Sequence, residues 1–271
     1  MMPGLQLEDM AQACNAVLHG ANAAVTSVGI DSRNVCPGQL FVALPGARVD
    51  GHQFVGQARA AGAVGAVVEQ LQEVDLPQLL VSDAAAALAA MARLNRSLFS
   101  GTVVAITGSA GKTTCKNMLA AILAEATTVH ATRGNLNNEL GVPLTLLELD
   151  HSHEYAIIEM GAAKAGDIAY LADLAQPQLS LVTNVSEAHL GGFGSLDVTA
   201  QTKGAIYAAL PAGGVAVLNR DDPYYASWAS TLRNETSDVT LCSFSMHDSS
   251  ADFVASNLRI DAEGMTFTVH G

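Results

Sequence analysis

Val103-Val-Ala-Ile-Thr-Gly-Ser-Ala-Gly-Lys-Thr-Thr114 is the stretch around which the rest of the chain is organised. Its β-branched start, Val103 to Ile106, predicts a buried strand. Gly108, Ser109, Ala110 and Gly111 predict a tight loop, and Lys112 to Ala124 a helix. A strand, a glycine-rich loop and a helix start make a phosphate-binding geometry. Backbone N–H groups point into the loop, and the helix N-terminus adds partial positive charge. In that geometry Lys112 reaches the β- and γ-phosphates, Thr113 offers a hydroxyl to Mg²⁺, and Thr114 continues the first turn. The match to the general P-loop pattern is imperfect, because Ile106 stands where its first glycine is required. The competing reading is an ordinary strand–turn–helix corner with a chance lysine.

Working outward, 271 residues are long for one core, so two domains are expected. Hydrophobic residues make up 49% and charged residues 14%, which describes a buried globular chain rather than a disordered one. Aromatics are only 5%, so Ala, Val, Leu and Ile must fill the core. The formal net charge of −13 argues against nucleic-acid or anionic-membrane partners. Anionic phosphates would then need local positive charge, from Lys112 and a metal. Cys14, Cys36, Cys115 and Cys242 form no Cys-x-x-Cys pair and read as reduced thiols of a cytoplasmic protein. The acidic start of the chain is not a signal peptide, and no apolar run reaches membrane-span length.

In chain order, a helix is predicted at residues 5–18, strands at 25–30 and 39–44, a helix at 53–61 and short strands at 66–69 and 79–82. This is a small α/β domain over residues 1–83. Asp83 is an N-cap candidate for an Ala-rich helix, Ala84 to Leu98, which opens a second domain over residues 84–271. Strands at 103–107, 127–131, 155–160, 179–184 and 214–219 then alternate with helices at 112–124, 137–149, 166–175, 197–210 and 221–232. Such alternation predicts an α/β fold with a mostly parallel, P-loop ATPase-like sheet. Lys112, Glu159, Asn184 and Asn219 fall at strand carboxyl ends, where ligands of such sheets sit. The last strands, 239–245, 252–260 and 265–269, lack helices, and the final pair reads as a hairpin. The chain stops directly after it and reads as a fragment.

Several residues offer chemistry beside a bland role. Glu159 either holds Mg²⁺ or is a solvated strand-end acid. His189, in a glycine-rich loop, either ligates a second Mg²⁺ or bonds to backbone. Lys203, alone, reads as a solvated helix cation. Asn219, followed by Arg220-Asp-Asp222, either reads a nucleobase and ribose or caps the next helix. Asn137 and Asn138 are cap or ligand candidates, and Glu139 suits the positive helix end. Asp31-Ser32-Arg33 offers an anion-binding arginine or a salt bridge in a turn.

Taken together, these stretches resemble the Mur ligases, the ATP-dependent amino-acid and peptide ligases of peptidoglycan synthesis. Thr107-Gly-x-x-Gly-Lys-Thr-Thr114 is similar to the family's own variant of the phosphate loop. Asp31-Ser32-Arg33, with Phe41-Val-Ala-Leu-Pro-Gly46 and Asp50-Gly-His52, resembles the UDP-binding first domain of the two later-acting members. Gly134-Asn-Leu-Asn-Asn-Glu-Leu-Gly-Val-Pro143, Glu159-Met-Gly161 and His189-Leu-x-Gly-Phe-Gly194 look most like the last-acting member. That ligase joins D-alanyl-D-alanine to UDP-N-acetylmuramoyl tripeptide. The preceding diamino-acid ligase typically has Thr-Thr-Pro near the Asn-Asn-Glu position, and this chain does not.

The resemblance implies an ADP-forming acid–D-amino-acid ligase that uses ATP and Mg²⁺, acting as a monomer. The tripeptide carboxylate would attack the ATP γ-phosphate, and the D-alanyl-D-alanine amine would attack the resulting acyl phosphate. Thr113 and Glu159 become Mg²⁺ ligands, and His189 a ligand of a second Mg²⁺. Lys112, His189 and Lys203 become the catalytic set. Lys203 matches a lysine often carried as a metal-facing carbamate. Asn219 is similar to an adenine contact. Asp31, Ser32, Arg33, Asn137, Asn138 and Glu139 become substrate-binding residues. The family also has a C-terminal Rossmann-like domain, expected to be missing here, so the fragment is expected to bind in part but not to ligate. The alternatives are the preceding ligase, a non-catalytic nucleotide-binding module, and a P-loop GTPase or kinase. The GTPase lacks its Asn-Lys-x-Asp motif here.

Overall fold

The computed structural model describes residues 4–46, 49–186, 194–235, 238–262 and 264–271. Among them, the chain opens with α1 (Leu7–Ala13), β1 (Val17–His19), β2 (Ser27–Gly29), β3 (Gln39–Val42), a 3₁₀ turn (Gly51–Phe54), α2 (Val55–Ala60), β4 (Gly65–Val68), β5 (Gln78–Leu80) and α3 (Ala84–Leu98). There follow β6 (Thr102–Thr107), α4 (Lys112–Ala124), β7 (Val129–Ala131), α5 (Gly141–Leu147), β8 (Tyr155–Glu159), α6 (Asp167–Ala175), β9 (Leu179–Val182) and α7 (Leu196–Gly204). A 3₁₀ turn (Ala205–Ala209), β10 (Val215–Asn219), α8 (Tyr225–Glu235), β11 (Thr240–Ser245), β12 (Phe253–Asp261) and β13 (Gly264–His270) complete the order.

The chain forms two compact units. The first holds Met1–Gly101 and Thr132–Glu154, the second Thr102–Ala131 and Tyr155–Gly271. This division differs from the split expected at residue 83. Helix α3 and the segment around α5 both belong to the first unit. Asn95 supplies a physical reason: fully buried on α3, its side-chain amide donates to Leu146 O at 2.9 Å and Leu149 O at 3.0 Å. Leu146 lies in the last turn of α5 and Leu149 just past it, and Leu146 O also accepts Leu149 N–H at 3.3 Å.

In the first unit, five strands order as β1-β5-β4-β3-β2, parallel except for the antiparallel β1–β5 pair. The helix expected over 5–18 stops at Ala13. Asn15 turns with φ +52°, and Val17–His19 pairs instead with β5. Helical periodicity is overridden by a sheet partner sixty residues away in the chain. The core gathers Phe41, Ala43, Val55, Ala58 and Ala66. Asp83 caps α3, its Oδ1 accepting Ala86 N–H at 2.9 Å.

In the second unit, the sheet runs β13-β12-β11-β10-β9-β6-β8-β7, and only β13 is antiparallel to its neighbour. Strands β6 and β8 are apolar because both their faces are covered. Val104, Ile106 and Ile157 are buried, and Cys115, Leu119 and Leu123 of α4 pack against them. Strand β6 comes first in this unit yet lies between β8 and β9. The winding therefore reverses at β6, and its carboxyl end opens a crevice of the kind that binds ligands. The phosphate-loop candidate leaves the sheet there.

Candidate functional site

The loop after β6 is shaped by two glycines. Gly108 has φ +152°, and a Cβ there would stand 1.9 Å from Thr183 Oγ1. Gly111 is the residue before α4, with φ +82°, in the left-handed region where an L side chain is strained. Between them, Asn184 clamps Ala110 at both backbone groups. Its Oδ1 accepts Ala110 N–H at 3.1 Å, and its Nδ2 donates to Ala110 O at 3.1 Å. Ser109 N–H donates to Asn184 O at 2.9 Å, and Thr183 Oγ1 donates to Ala110 O at 2.6 Å. The end of β9 thus fixes the loop backbone. The first-turn N–H groups of α4 have no intrahelical acceptor and face outward from the helix start.

Two lysines converge on one carbonyl. Lys112 Nζ donates to Gly108 O at 2.8 Å, and Lys203 Nζ donates to the same oxygen at 3.1 Å. Lys203, expected from sequence as a solvated cation, is instead buried on α7. Burial, and then the Lys112 ammonium, pull its pKa down to about 8. Two cations share this loop within a chain of net charge −13, so the loop is a local electropositive point suited to an anion.

On the other side of the loop, Thr113 Oγ1 donates to Glu159 Oε2 at 2.9 Å. Glu159 ends β8 and is 2% exposed, so it is not a solvated strand-end acid. A hydroxyl and a carboxylate set together are hard oxygen donors, which fits Mg²⁺. No group of three or more His, Cys, Asp or Glu among the described residues forms a metal cage. Mg²⁺ bound here would therefore need phosphate and water oxygens to complete its shell, as is usual for this ion. Sequence reading passed over one neighbour. Lys116, on the same helix as Thr113, is buried, with Nζ 3.6 Å from Glu159 Oε2. Its spacing of three residues from Thr113 was the available signal.

His189 lies outside the described residues. Asn219 donates through Nδ2 to Thr183 O at 3.0 Å and accepts Asp221 N–H at 3.0 Å, which holds its amide at the strand end beside the loop-clamping segment. Asp222 begins the turn into α8, accepting Tyr224 N–H, and also accepts Val185 N–H at 2.7 Å. Asp221 instead accepts the Ser245 hydroxyl at the end of β11 and the Met246 N–H just past it.

In the first unit, Asp31 and Arg33 form a bidentate ion pair, at 2.8 and 2.7 Å, that holds the Asp31 carboxyl down at about 2. The Arg33 side chain remains 81% exposed. Ser32 is buried, 3.4 Å from Gln57 Oε1. Asn138 lies in the turn before α5, its Oδ1 accepting Gly141 N–H at 2.9 Å. The helix starts at Gly141, four residues later than expected, because residues 138–140 form a turn in which the Asn138 side chain binds backbone N–H groups. Glu139 is exposed and Asn137 half-buried.

A cavity of about 560 Å³ lies elsewhere in the second unit, against Tyr224 and Trp228, and contains none of these residues. Convergent charge and oxygen donors, rather than cavity size, mark the phosphate loop as the site.

The profile of the Mur ligase middle domain matches residues 106–271, and that of the Mur ligase family catalytic domain matches residues 24–96. The chain belongs to the Mur ligase family. The Escherichia coli K12 UDP-N-acetylmuramoyl-tripeptide–D-alanyl-D-alanine ligase is 40% identical over 268 residues, covering 99% of this chain and 58% of the relative. A MurF crystal structure from Acinetobacter baumannii superposes with TM-score 0.85 at 32% identity, covering 97% of this chain and 59% of that one. A MurF ligase from Thermotoga maritima, solved in complex with ADP, gives TM-score 0.76 at 32% identity over 90% of this chain and 57% of that one. The chain thus spans a little under three-fifths of the length of these Mur ligases. Among its described residues, no helix is long and apolar enough to cross a membrane.

Proposed function

We propose that this chain carries the nucleotide- and UDP-binding parts of a Mur ligase that joins D-alanyl-D-alanine to UDP-N-acetylmuramoyl tripeptide, with release of ADP and inorganic phosphate. The observation that carries the reading is the convergence of Lys112 and Lys203 on Gly108 O, beside the Thr113–Glu159 pair. Family membership and the names of the matched relatives support the choice of reaction.

In this reading Lys112 and the α4 N-terminus hold the β- and γ-phosphates of ATP, and preorganised positive charge stabilises the γ-phosphoryl as it passes to the tripeptide carboxylate. Thr113 and Glu159 would hold Mg²⁺, which when bound would supply charge neutralisation for phosphate oxygens. His189 is proposed as a ligand of a second Mg²⁺, and Asn219 as the adenine contact. Lys203, with its pKa lowered to about 8, has far more neutral amine near neutral pH than an ordinary lysine. A neutral amine is the form that CO₂ attacks, so burial prepares Lys203 for carbamylation and for a metal-facing role. In the first unit, exposed Arg33 binds the UDP diphosphate, with Asp31 and Ser32 setting its loop. Asn137, Asn138 and Glu139 complete the substrate-binding set. No protein nucleophile is required.

Isothermal titration of the 271-residue chain tests this. MgATP should bind, with affinity reduced at least about tenfold in Lys112→Ala. UDP-N-acetylmuramoyl tripeptide should bind more tightly than the dipeptide, which the preceding ligase would prefer. Dipeptide preference, or MgATP affinity unchanged in the variant, contradicts the reading.

A further inference from the structure

Helix α4 sends its two lysines in opposite directions. Lys112 turns back to the loop, whereas Lys116, one turn on, is 3% exposed and faces the end of β8. There its Nζ lies 3.6 Å from Glu159 Oε2, the oxygen that also accepts the Thr113 hydroxyl. Thr113 and Lys116 are three residues apart and share a helix face. A buried ammonium is costly without an opposite charge, and so is a buried carboxylate. Each is the other's countercharge at a point where a divalent cation would also seek Glu159.

We propose that Lys116 is a positioning residue that acts as a built-in placeholder cation for the metal site. Its ammonium holds Glu159 turned inward when Mg²⁺ is away, and its charge opposes Mg²⁺ when the ion arrives. The site is thereby formed in advance, and its metal affinity is tempered so that the ion is held firmly only together with nucleotide phosphate. This rests on the reading of Glu159 as a metal-facing carboxylate. A lysine present only to pack the helix would affect stability and leave the metal response untouched.

The test has two arms on the 271-residue chain. In the first, denaturant unfolding without metal compares wild type, Lys116→Met, Glu159→Gln and the double variant. Each single variant should unfold at lower denaturant than wild type, and the double at higher denaturant than either single. Lys116→Arg should unfold close to wild type and keeps the arm readable if Lys116→Met folds poorly. In the second arm, Mg²⁺ is titrated in the presence of ADP and read by thermal shift. Lys116→Met should bind Mg²⁺ more tightly than wild type, on the order of tenfold, because a like charge has been removed. Glu159→Gln should lose most of the response.

Independent effects of the two single variants in the metal-free arm overturn the proposal whether or not nucleotide binds. Unchanged or weaker Mg²⁺ affinity in Lys116→Met, with the response lost in Glu159→Gln, also overturns it. A wild-type response in Glu159→Gln overturns instead the underlying assignment of Glu159.

Discussion

At the residue scale, the loop is held by contacts that leave little room. Gly108→Ala would drive a Cβ into Thr183 at a backbone angle of +152°. The strain alone is worth about 1–3 kcal/mol. The variant should lower the melting temperature and abolish MgATP binding in calorimetry; a wild-type binding isotherm would refute the loop assignment. Asn184→Asp makes a finer cut. It keeps the acceptor for Ala110 N–H, loses the donor to Ala110 O, and sets a negative charge beside the loop. ATP affinity should fall more than stability does, and equal losses would mean that Asn184 only braces the fold. Lys203 offers a chemical test. With its pKa near 8, incubation with bicarbonate followed by native mass spectrometry should add the mass of one CO₂, and Lys203→Arg should abolish the adduct. The same shift sets a pH dependence. The folded pKa lies below the ordinary 10.5, so the unfolded chain binds more protons between about pH 8 and 10.5. The Lys203 contribution to stability therefore rises with pH across that window, and Lys203→Met should flatten the rise in pH-dependent denaturation. Taken alone, Lys203 read as a solvated helix cation, whereas Gly108 and its loop were legible in sequence, because Gly-Lys-Thr-Thr after an apolar strand has few physical uses. Lys116 was not. A lysine is ordinarily a solvated cation, and only the meeting of α4 with the end of β8 gives this one a partner.

At the element scale, agreement follows how local the cause is. Helix α3 was readable end to end, since Asp83 caps it and an Ala-rich run sustains it. Asp83→Ala should cost about 1 kcal/mol, seen as a lower midpoint in urea. No change there would mean that Glu69, whose carboxylate accepts Ala84 N–H at 2.8 Å, suffices as the cap. Strands β6 and β8 were legible as apolar runs buried on both faces, and β10 as an apolar strand whose burial alternates. Helix α1 was over-read because pairing of β1 with β5 is non-local. Helix α5 was over-read at its start because the Asn138 side chain binds backbone N–H groups and holds a turn there. The link from α3 to the α5 segment that Asn95 makes is a long-range contact that no periodicity reveals.

At the scale of the whole molecule, a net charge of −13 coexists with one concentrated cationic point at the sheet's switch strand. In the proposed reading that arrangement would disfavour polyanions in general while accepting a metal-bound phosphate at the loop. The two units also divide the proposed labour, with UDP recognition in the first and nucleotide phosphates in the second. The central claim is that the loop from Gly108 to Thr114 holds the phosphates of MgATP through Lys112. Isothermal titration of MgATP into the wild-type 271-residue chain and into Lys112→Ala tests it most directly. The account predicts one-to-one binding to wild type, weakened at least about tenfold in the variant. Indistinguishable isotherms for the two proteins, or no binding to wild type, would contradict it.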